Sequence, residues 1–99
     1  MIIAVPADLL RALPRLAAAA RPREACGLLV GHAAGEGVAV TGLVPSRNLA
    51  AAEDAFEIDT AMQLGLQRRL RGTGEAVIGV WHSHPAGAPT PSARDAEGA

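Results

Sequence analysis

Residues 78–95 read I-G-V-W-H-S-H-P-A-G-A-P-T-P-S-A-R-D, an apolar run followed by a histidine pair and a proline-rich segment. Its apolar beginning predicts a buried strand that ends in a histidine pair, His82 and His84. Side chains two positions apart on a strand point to the same face of the sheet. We therefore expect both imidazoles to reach one point in space without help from tertiary structure.

A loop and then the start of a helix are predicted after the histidine pair. Prolines and a glycine within residues 85–91 exclude regular structure, and Ser92 then opens a predicted helix with Asp95 in its first turn. Two imidazoles and a carboxylate form a three-ligand zinc set with an open fourth position, which is typical of catalytic zinc sites. The sequence thus predicts a metal site made of His82, His84 and Asp95.

Each half of this pattern also has an ordinary explanation. H-x-H occurs in several unrelated metal-binding folds, although 99 residues are too few for one of them, the amidohydrolase barrel of about 250 residues. S-x-x-D, as at Ser92 and Asp95, is a helix-capping pattern. Capping and metal binding are compatible, because the helix dipole keeps a first-turn carboxylate ionised, as a metal ligand must be.

The composition limits the class of protein. The length predicts one domain, and a net charge of −1 without a basic cluster argues against nucleic-acid binding. No segment has the roughly 18 consecutive apolar residues of a membrane span, and no basic region precedes the apolar N-terminus as in a signal peptide. The single cysteine, Cys26, excludes an internal disulfide and fits a reducing compartment. We expect a cytoplasmic protein with no membrane partner.

Apolar periodicity predicts the order of the secondary-structure elements. Gly35-Glu36-Gly37 predicts a hairpin turn, Asp59 an N-cap, and Pro14 a kink in the first helix or a helix broken in two. The predicted fold class is α/β (α+β), a curved mixed sheet flanked by helices. Strands are predicted near residues 2–5, 26–31, 38–44 and 76–82, and helices near 7–20 and 59–71.

Glu24 is a further candidate for the site, and three other side chains have ordinary explanations. Glu24 lies at the edge of an apolar strand, and the sequence alone does not place it near His82. Cys26 is interpreted as a small core residue. Trp81 alternates with His82 and is predicted to pack in the core on the opposite face. His32, at a predicted strand end, is expected to be exposed.

The combined pattern resembles the JAMM or MPN-plus metalloprotease family. That family has a glutamate on an early strand, then H-x-H, seven residues, a serine, two residues and an aspartate. Glu24, H-S-H at residues 82–84, Ser92 and Asp95 match every element with the H-x-H to S to D spacing intact. The flanking segments also match: E-A-C-G-L-L-V-G at 24–31, Asn48 with Phe56 and Asp59, and G-V-W-H-S-H-P at 79–85.

The resemblance implies a fold and a role for each motif residue. The fold is the cytidine-deaminase-like JAMM/MPN fold. His82, His84 and Asp95 would hold Zn²⁺, Glu24 would act as the general base, and Ser92 would donate a hydrogen bond to the oxyanion. Each role agrees with the chemistry of its side chain.

The resemblance also implies a substrate class. Family members cleave amide or isopeptide bonds at the C-terminal tail of ubiquitin-like proteins. Short bacterial relatives with E-x-C-G, present here at residues 24–27, are similar to enzymes that process ubiquitin-like sulfur-carrier proteins. The expected function is thus a zinc-dependent metalloprotease or isopeptidase acting on a ubiquitin-like or sulfur-carrier protein.

Two alternatives remain at this point. The first is a non-catalytic MPN-type module that binds a ubiquitin-like carrier, and the second is a small metal-binding domain of another hydrolase or nuclease. Retention of Glu24 and Ser92 favours the enzyme, because a binding module does not need them. The family domain normally continues past the aspartate, so we interpret residues 1–99 as one JAMM/MPN-plus domain that is incomplete at its C-terminus, and this favours the binding module.

Overall fold

A computed structural model describes residues 2–83 of the chain. The predictions that concern His84, Ser92 and Asp95 lie outside these residues. The elements are β1 (Ile3–Ala4), α1 (Ala7–Ala20), β2 (Cys26–Ala34), β3 (Gly37–Ser46), α2 (Thr60–Leu70) and β4 (Ala76–His82). Their order is the predicted one. Within the described range, neither helix has the length and apolar character to cross a membrane.

The four strands form one mixed sheet in the order β1-β3-β2-β4. The short strand β1 pairs with β3 in parallel, whereas β2 pairs antiparallel with both β3 and β4. β2 and β3 are joined by the predicted hairpin, in which Ala34 pairs with Gly37. The mixed α and β fold predicted from the sequence is confirmed.

The central position of strand β2 in the sheet explains why its sequence is a continuous apolar run. It has a neighbouring strand on each side, and residues 26–31 are all buried. Consecutive side chains enter different cores: Leu29 packs with Leu13 of α1, and Leu28 packs with Leu66 of α2. The sheet is therefore covered by one helix on each face, and an alternating polar pattern would place polar groups in one of these cores.

Helix α1 continues through Pro14, so the predicted break into two helices is wrong. Pro14 removes the backbone donor to the carbonyl of Leu10, but both residues lie on the exposed side of the helix. Water can satisfy that carbonyl there. The opposite side buries Leu13 and Ala17 against the sheet, which favours one continuous helix.

Asp59 caps the N-terminus of α2, as predicted. Its Oδ1 accepts hydrogen bonds from the backbone N–H groups of Ala61, at 3.1 Å, and Met62, at 3.3 Å. Its Oδ2 lies 3.2 Å from Nη2 of the exposed Arg47. The backbone hydrogen bond from Met62, followed by the Arg47 interaction, lowers the pKa of the Asp59 carboxyl. The ionised cap therefore stabilises the folded state.

Trp81 approaches the backbone of the central strand at Gly27. A Cβ added to Gly27 would lie 2.6 Å from Cε2 of Trp81 and would also collide with the carbonyl oxygen of Val44. We expect Gly27→Ala to lower the free energy of unfolding by about 1–3 kcal/mol through overpacking. Gly42→Ala is the matched control on β3, because its nearest neighbour would be 3.9 Å away. Urea denaturation of the two variants tests this, and equal stabilities would contradict the close packing.

The Asp59 cap gives a pH-dependent prediction. Because the pKa of Asp59 is lowered by folding, its stabilisation is complete above the ordinary aspartate pKa of about 3.9. It is lost as the pH falls through the lower pKa of the folded state. We expect Asp59→Asn to be less stable than the parent at neutral pH and to approach it in acid. Denaturation across a pH series measures this, with Asp54→Asn in the preceding loop as the control for loss of charge.

Candidate functional site

Glu24 and His82 lie side by side at one end of the sheet. Glu24 precedes β2, His82 is the last residue of β4, and the antiparallel register pairs Cys26 with His82. Oε1 of Glu24 is 3.2 Å from Nδ1 of His82. Glu24 is only 4% exposed, and the His82 side chain is 20% exposed. Two residues separated by 58 positions in the sequence thus form one part-buried polar pair.

Ser83 holds the end of β4 in this position. Its backbone N–H donates to the carbonyl of Ala25 at 2.9 Å, and its Oγ accepts a hydrogen bond from the Ala25 N–H at 2.8 Å. Ser83 is 1% exposed, so both bonds are shielded from water. The middle residue of H-S-H therefore extends the pairing between the strands and fixes His82 beside Glu24. No feature of the sequence distinguishes this serine from a spacer.

The His82 imidazole is oriented by two contacts of different kinds. Glu24 contacts Nδ1 at the ring edge, and Phe56 stacks on the ring face with centroids 4.3 Å apart and 14° between the planes. In the tautomer with hydrogen on Nδ1, that N–H donates to the Glu24 carboxylate, and Nε2 carries the lone pair. This is the form in which a neutral histidine binds a metal, and a carboxylate partner on the other nitrogen stabilises it.

Phe56 belongs to the segment between β3 and α2, which Asn48 and Arg23 connect to the start of β2. The Asn48 amide donates to the carbonyl of Glu24 at 3.0 Å, and the Arg23 guanidinium donates to the carbonyl of Ala50. Asn48 and Phe56 match the family pattern, but no local sequence signal indicates these contacts.

Cys26, Trp81 and His32 lie where the sequence predicts them. Cys26 is 1% exposed, and burial, followed by the charge of Glu24, raises the pKa of its thiol. Cys26 is therefore a small core residue, as predicted. A buried thiol with a raised pKa is also a poor nucleophile, so Cys26 is not a candidate for catalysis. Trp81 is buried in the core on the α1 side of the sheet, as predicted. His32 is exposed, as predicted, with Nδ1 3.0 Å from the carbonyl oxygen of Ala33.

A cavity of about 370 Å³ lies beside Glu24. Side chains from the last turns of α1, the start of β2 and the end of β3 line it, and most of its wall is apolar. Arg23 and Asn48 are among its polar lining groups. Glu24 is thus one of the residues that line this cavity, and its Oε1 contacts His82.

The described residues contain one imidazole of the predicted metal site. Within residues 2–83, no cluster of three histidine, cysteine or acidic side chains could hold a metal. His82 is in this range together with Glu24, while His84, Ser92 and Asp95 are outside it. The donor chemistry fits zinc, because His82 has a carboxylate partner on Nδ1 and the predicted set adds a second imidazole and a carboxylate.

Comparison with known proteins identifies the family of the chain. Residues 6–99 match the family model for prokaryotic homologues of the JAB domain. A Haloferax volcanii protein named Desampylase is 36% identical over 77 residues, which cover 77% of this chain and 54% of that protein. The chain thus spans about half the length of this curated relative.

Two solved structures share the fold. A solution structure from Desulfitobacterium hafniense matches with a TM-score of 0.78 and 34% identity, covering 95% of this chain and 64% of the other. A solution structure from Salinibacter ruber matches with a TM-score of 0.59 and 29% identity, covering 97% and 65%. The family recognised from the motif residues is confirmed: the chain belongs to the prokaryotic homologues of the JAB domain.

Proposed function

We propose that this protein is a zinc-dependent metalloprotease or isopeptidase that hydrolyses an amide bond at the C-terminal tail of a ubiquitin-like or sulfur-carrier protein. The observation that carries the proposal is the buried carboxylate of Glu24, 3.2 Å from Nδ1 of His82, in a chain of the JAB family. A buried carboxylate is costly to the fold unless it is paired. Its presence beside a candidate metal ligand supports a catalytic role.

The substrate class is supported by the Haloferax volcanii relative. The name Desampylase denotes removal of a ubiquitin-like modifier, and that protein is 36% identical over 77% of this chain. A sulfur-carrier protein belongs to the same structural class of substrates. The E-x-C-G segment at residues 24–27 carries the resemblance to enzymes that process such carriers, and it does not select between the two substrates.

The metal would be held by His82, His84 and Asp95. When bound, zinc supplies a Lewis acid that polarises the attacked carbonyl and activates water for attack. The imidazole of His82 is already restrained by Glu24 and Phe56, so less orientational freedom is lost on binding a metal.

Glu24 would move the proton. Its carboxylate accepts a proton from the attacking water and returns it to the leaving amine, which cannot depart as an anion at neutral pH. Ser92 would donate a hydrogen bond to the oxyanion on the attacked carbonyl, an interaction typically worth about 3–4 kcal/mol in the transition state.

Glu24→Gln tests the base. Glutamine keeps the size of the side chain and its amide oxygen can still accept from Nδ1 of His82, but it cannot take a proton. We expect nearly unchanged zinc content and a hydrolysis rate about 10²–10⁴-fold lower. The measurements are elemental analysis and steady-state cleavage of a fusion to the tail of a ubiquitin-like protein. Glu53→Gln, at an exposed loop position, is the control. Equal turnover of the Glu24 variant and the parent would exclude Glu24 as the base.

His82→Ala tests the metal. We expect zinc content and hydrolysis to fall together, because two remaining ligands hold zinc poorly. His32→Ala removes an exposed imidazole from the same sheet and should change neither quantity. Chelation of the parent should abolish hydrolysis, and added zinc should restore it. Full zinc content in the His82 variant would show that His82 is not a ligand.

The same variants separate the enzyme from a non-catalytic module that binds a carrier. Such a module would bind the ubiquitin-like protein without cleaving it, and Glu24→Gln would leave binding unchanged. The paired, buried Glu24 favours the enzyme, because recognition of a carrier tail does not need a proton acceptor inside the protein.

A further inference from the structure

We propose that Asn48 is a positioning residue that holds Phe56 against the imidazole of His82 and fixes the backbone of Glu24. The effect of Asn48 and Phe56 on turnover rests on the proposed function. The geometry that Asn48 imposes on Phe56 and Glu24 is independent of that function and can be measured separately.

The Asn48 amide uses its full hydrogen-bonding capacity. A primary amide can donate two hydrogen bonds and accept two. Nδ2 donates to the carbonyls of Glu24, at 3.0 Å, and Ala55, at 2.9 Å. Oδ1 accepts from the N–H groups of Ala50, at 2.9 Å, and Glu57, at 3.0 Å. Four hydrogen bonds strongly restrain this part-buried side chain. Removing it would leave several backbone groups without a hydrogen-bond partner.

Two of these partners are the immediate neighbours of Phe56. Asn48 bonds the carbonyl of Ala55 and the N–H of Glu57, so the residue between them is held from both sides. Phe56 in turn stacks on His82 at 4.3 Å. The position of this aromatic ring over the imidazole therefore depends on hydrogen bonds made by another side chain.

A third partner is Glu24 itself. Glu24 lies just before β2, and its carbonyl bonds to Nδ2 of Asn48. Its side chain contacts Nδ1 of His82. One amide therefore restrains both groups that orient the imidazole: Phe56 at the ring face and Glu24 at the ring edge.

Other contacts also hold the segment between β3 and α2 in place. Loss of the Asn48 amide can therefore change the position of Phe56 without unfolding the segment. Arg23 donates to the carbonyl of Ala50, the N–H of Leu49 donates to the carbonyl of Glu57 at 2.9 Å, and Asn48 and Ile58 form a backbone bridge. None of these contacts needs the Asn48 amide. Removing the amide should therefore leave the segment attached and change the placement of Phe56.

The test compares NMR spectra of the metal-free protein and its variants in one buffer. Phe56→Leu defines the chemical shifts of the His82 ring protons without the ring current of Phe56. We expect Asn48→Ala and Asn48→Asp each to move these shifts at least halfway toward the Phe56→Leu values. Glu53→Gln, in the same segment, should leave them unchanged. Asn48→Ala is uncharged, so an effect confined to Asn48→Asp would come from charge and would overturn the proposal.

The outcomes remain decisive if a variant does not fold. In the parent, the Asn48 amide protons should exchange slowly with water, and the rings of Phe56 and His82 should show mutual nuclear Overhauser effects. Fast exchange of the amide protons, or no contact between the rings, would overturn the proposal. A folded Asn48→Ala variant with unchanged His82 shifts would also overturn it.

The NMR readout is independent of hydrolysis, so the two proposals can fail separately. If Glu24→Gln hydrolyses as fast as the parent while the His82 shifts behave as expected, the proposed function is wrong and the role of Asn48 stands. If the protein is a hydrolase, Asn48→Ala should lower kcat about 10–100-fold with a smaller change in KM, as for other residues that orient metal ligands. A kcat equal to that of Glu53→Gln would refute the effect on turnover.

Discussion

The antiparallel pairing of β2 with β4 is the constraint on which the site depends. The register places His82 opposite Cys26, and the hydrogen bonds between Ser83 and Ala25 continue the pairing by one residue. Glu24 then lies next to His82 because it precedes this paired segment directly. A register shift of one residue would turn His82 to the other face of the sheet, where Trp81 packs in the core. The core packing of Trp81 and the orientation of His82 are therefore set together.

The site concentrates polar groups where burial makes them costly. Glu24 and Ser83 are the buried polar side chains among the described residues, and both lie at the same end of the sheet. Removing a carboxylate from water costs several kcal/mol, which a single contact with His82 offsets only in part. A chain selected for stability alone would favour an apolar residue there. The rest of the fold supplies the stability that the buried carboxylate requires.

Much of the fold can be predicted because its signals are local. Apolar patterns predict the strand at residues 76–82, where β4 lies, and the helix over residues 7–20. The capping preference of aspartate predicts the N-cap at Asp59. The predicted break of the helix at Pro14 is wrong, because burial of Leu13 and Ala17 outweighs one lost backbone bond on the exposed side. Propensity describes the isolated helix, whereas packing against the sheet decides its length.

The sequence by itself determined the features that depend on spacing over a few residues: the alternation of Trp81 and His82 across β4, the turn between β2 and β3, and the motif that identifies the family. Tertiary structure alone decided that Glu24 contacts His82, that Ser83 joins β4 to Ala25, and that Asn48 places Phe56 on the imidazole. These contacts connect different elements, so no short-range periodicity encodes them. They depend on strand order and register. Burial of both faces of β2 fixes this register, and that burial is complete only when the whole sheet has assembled.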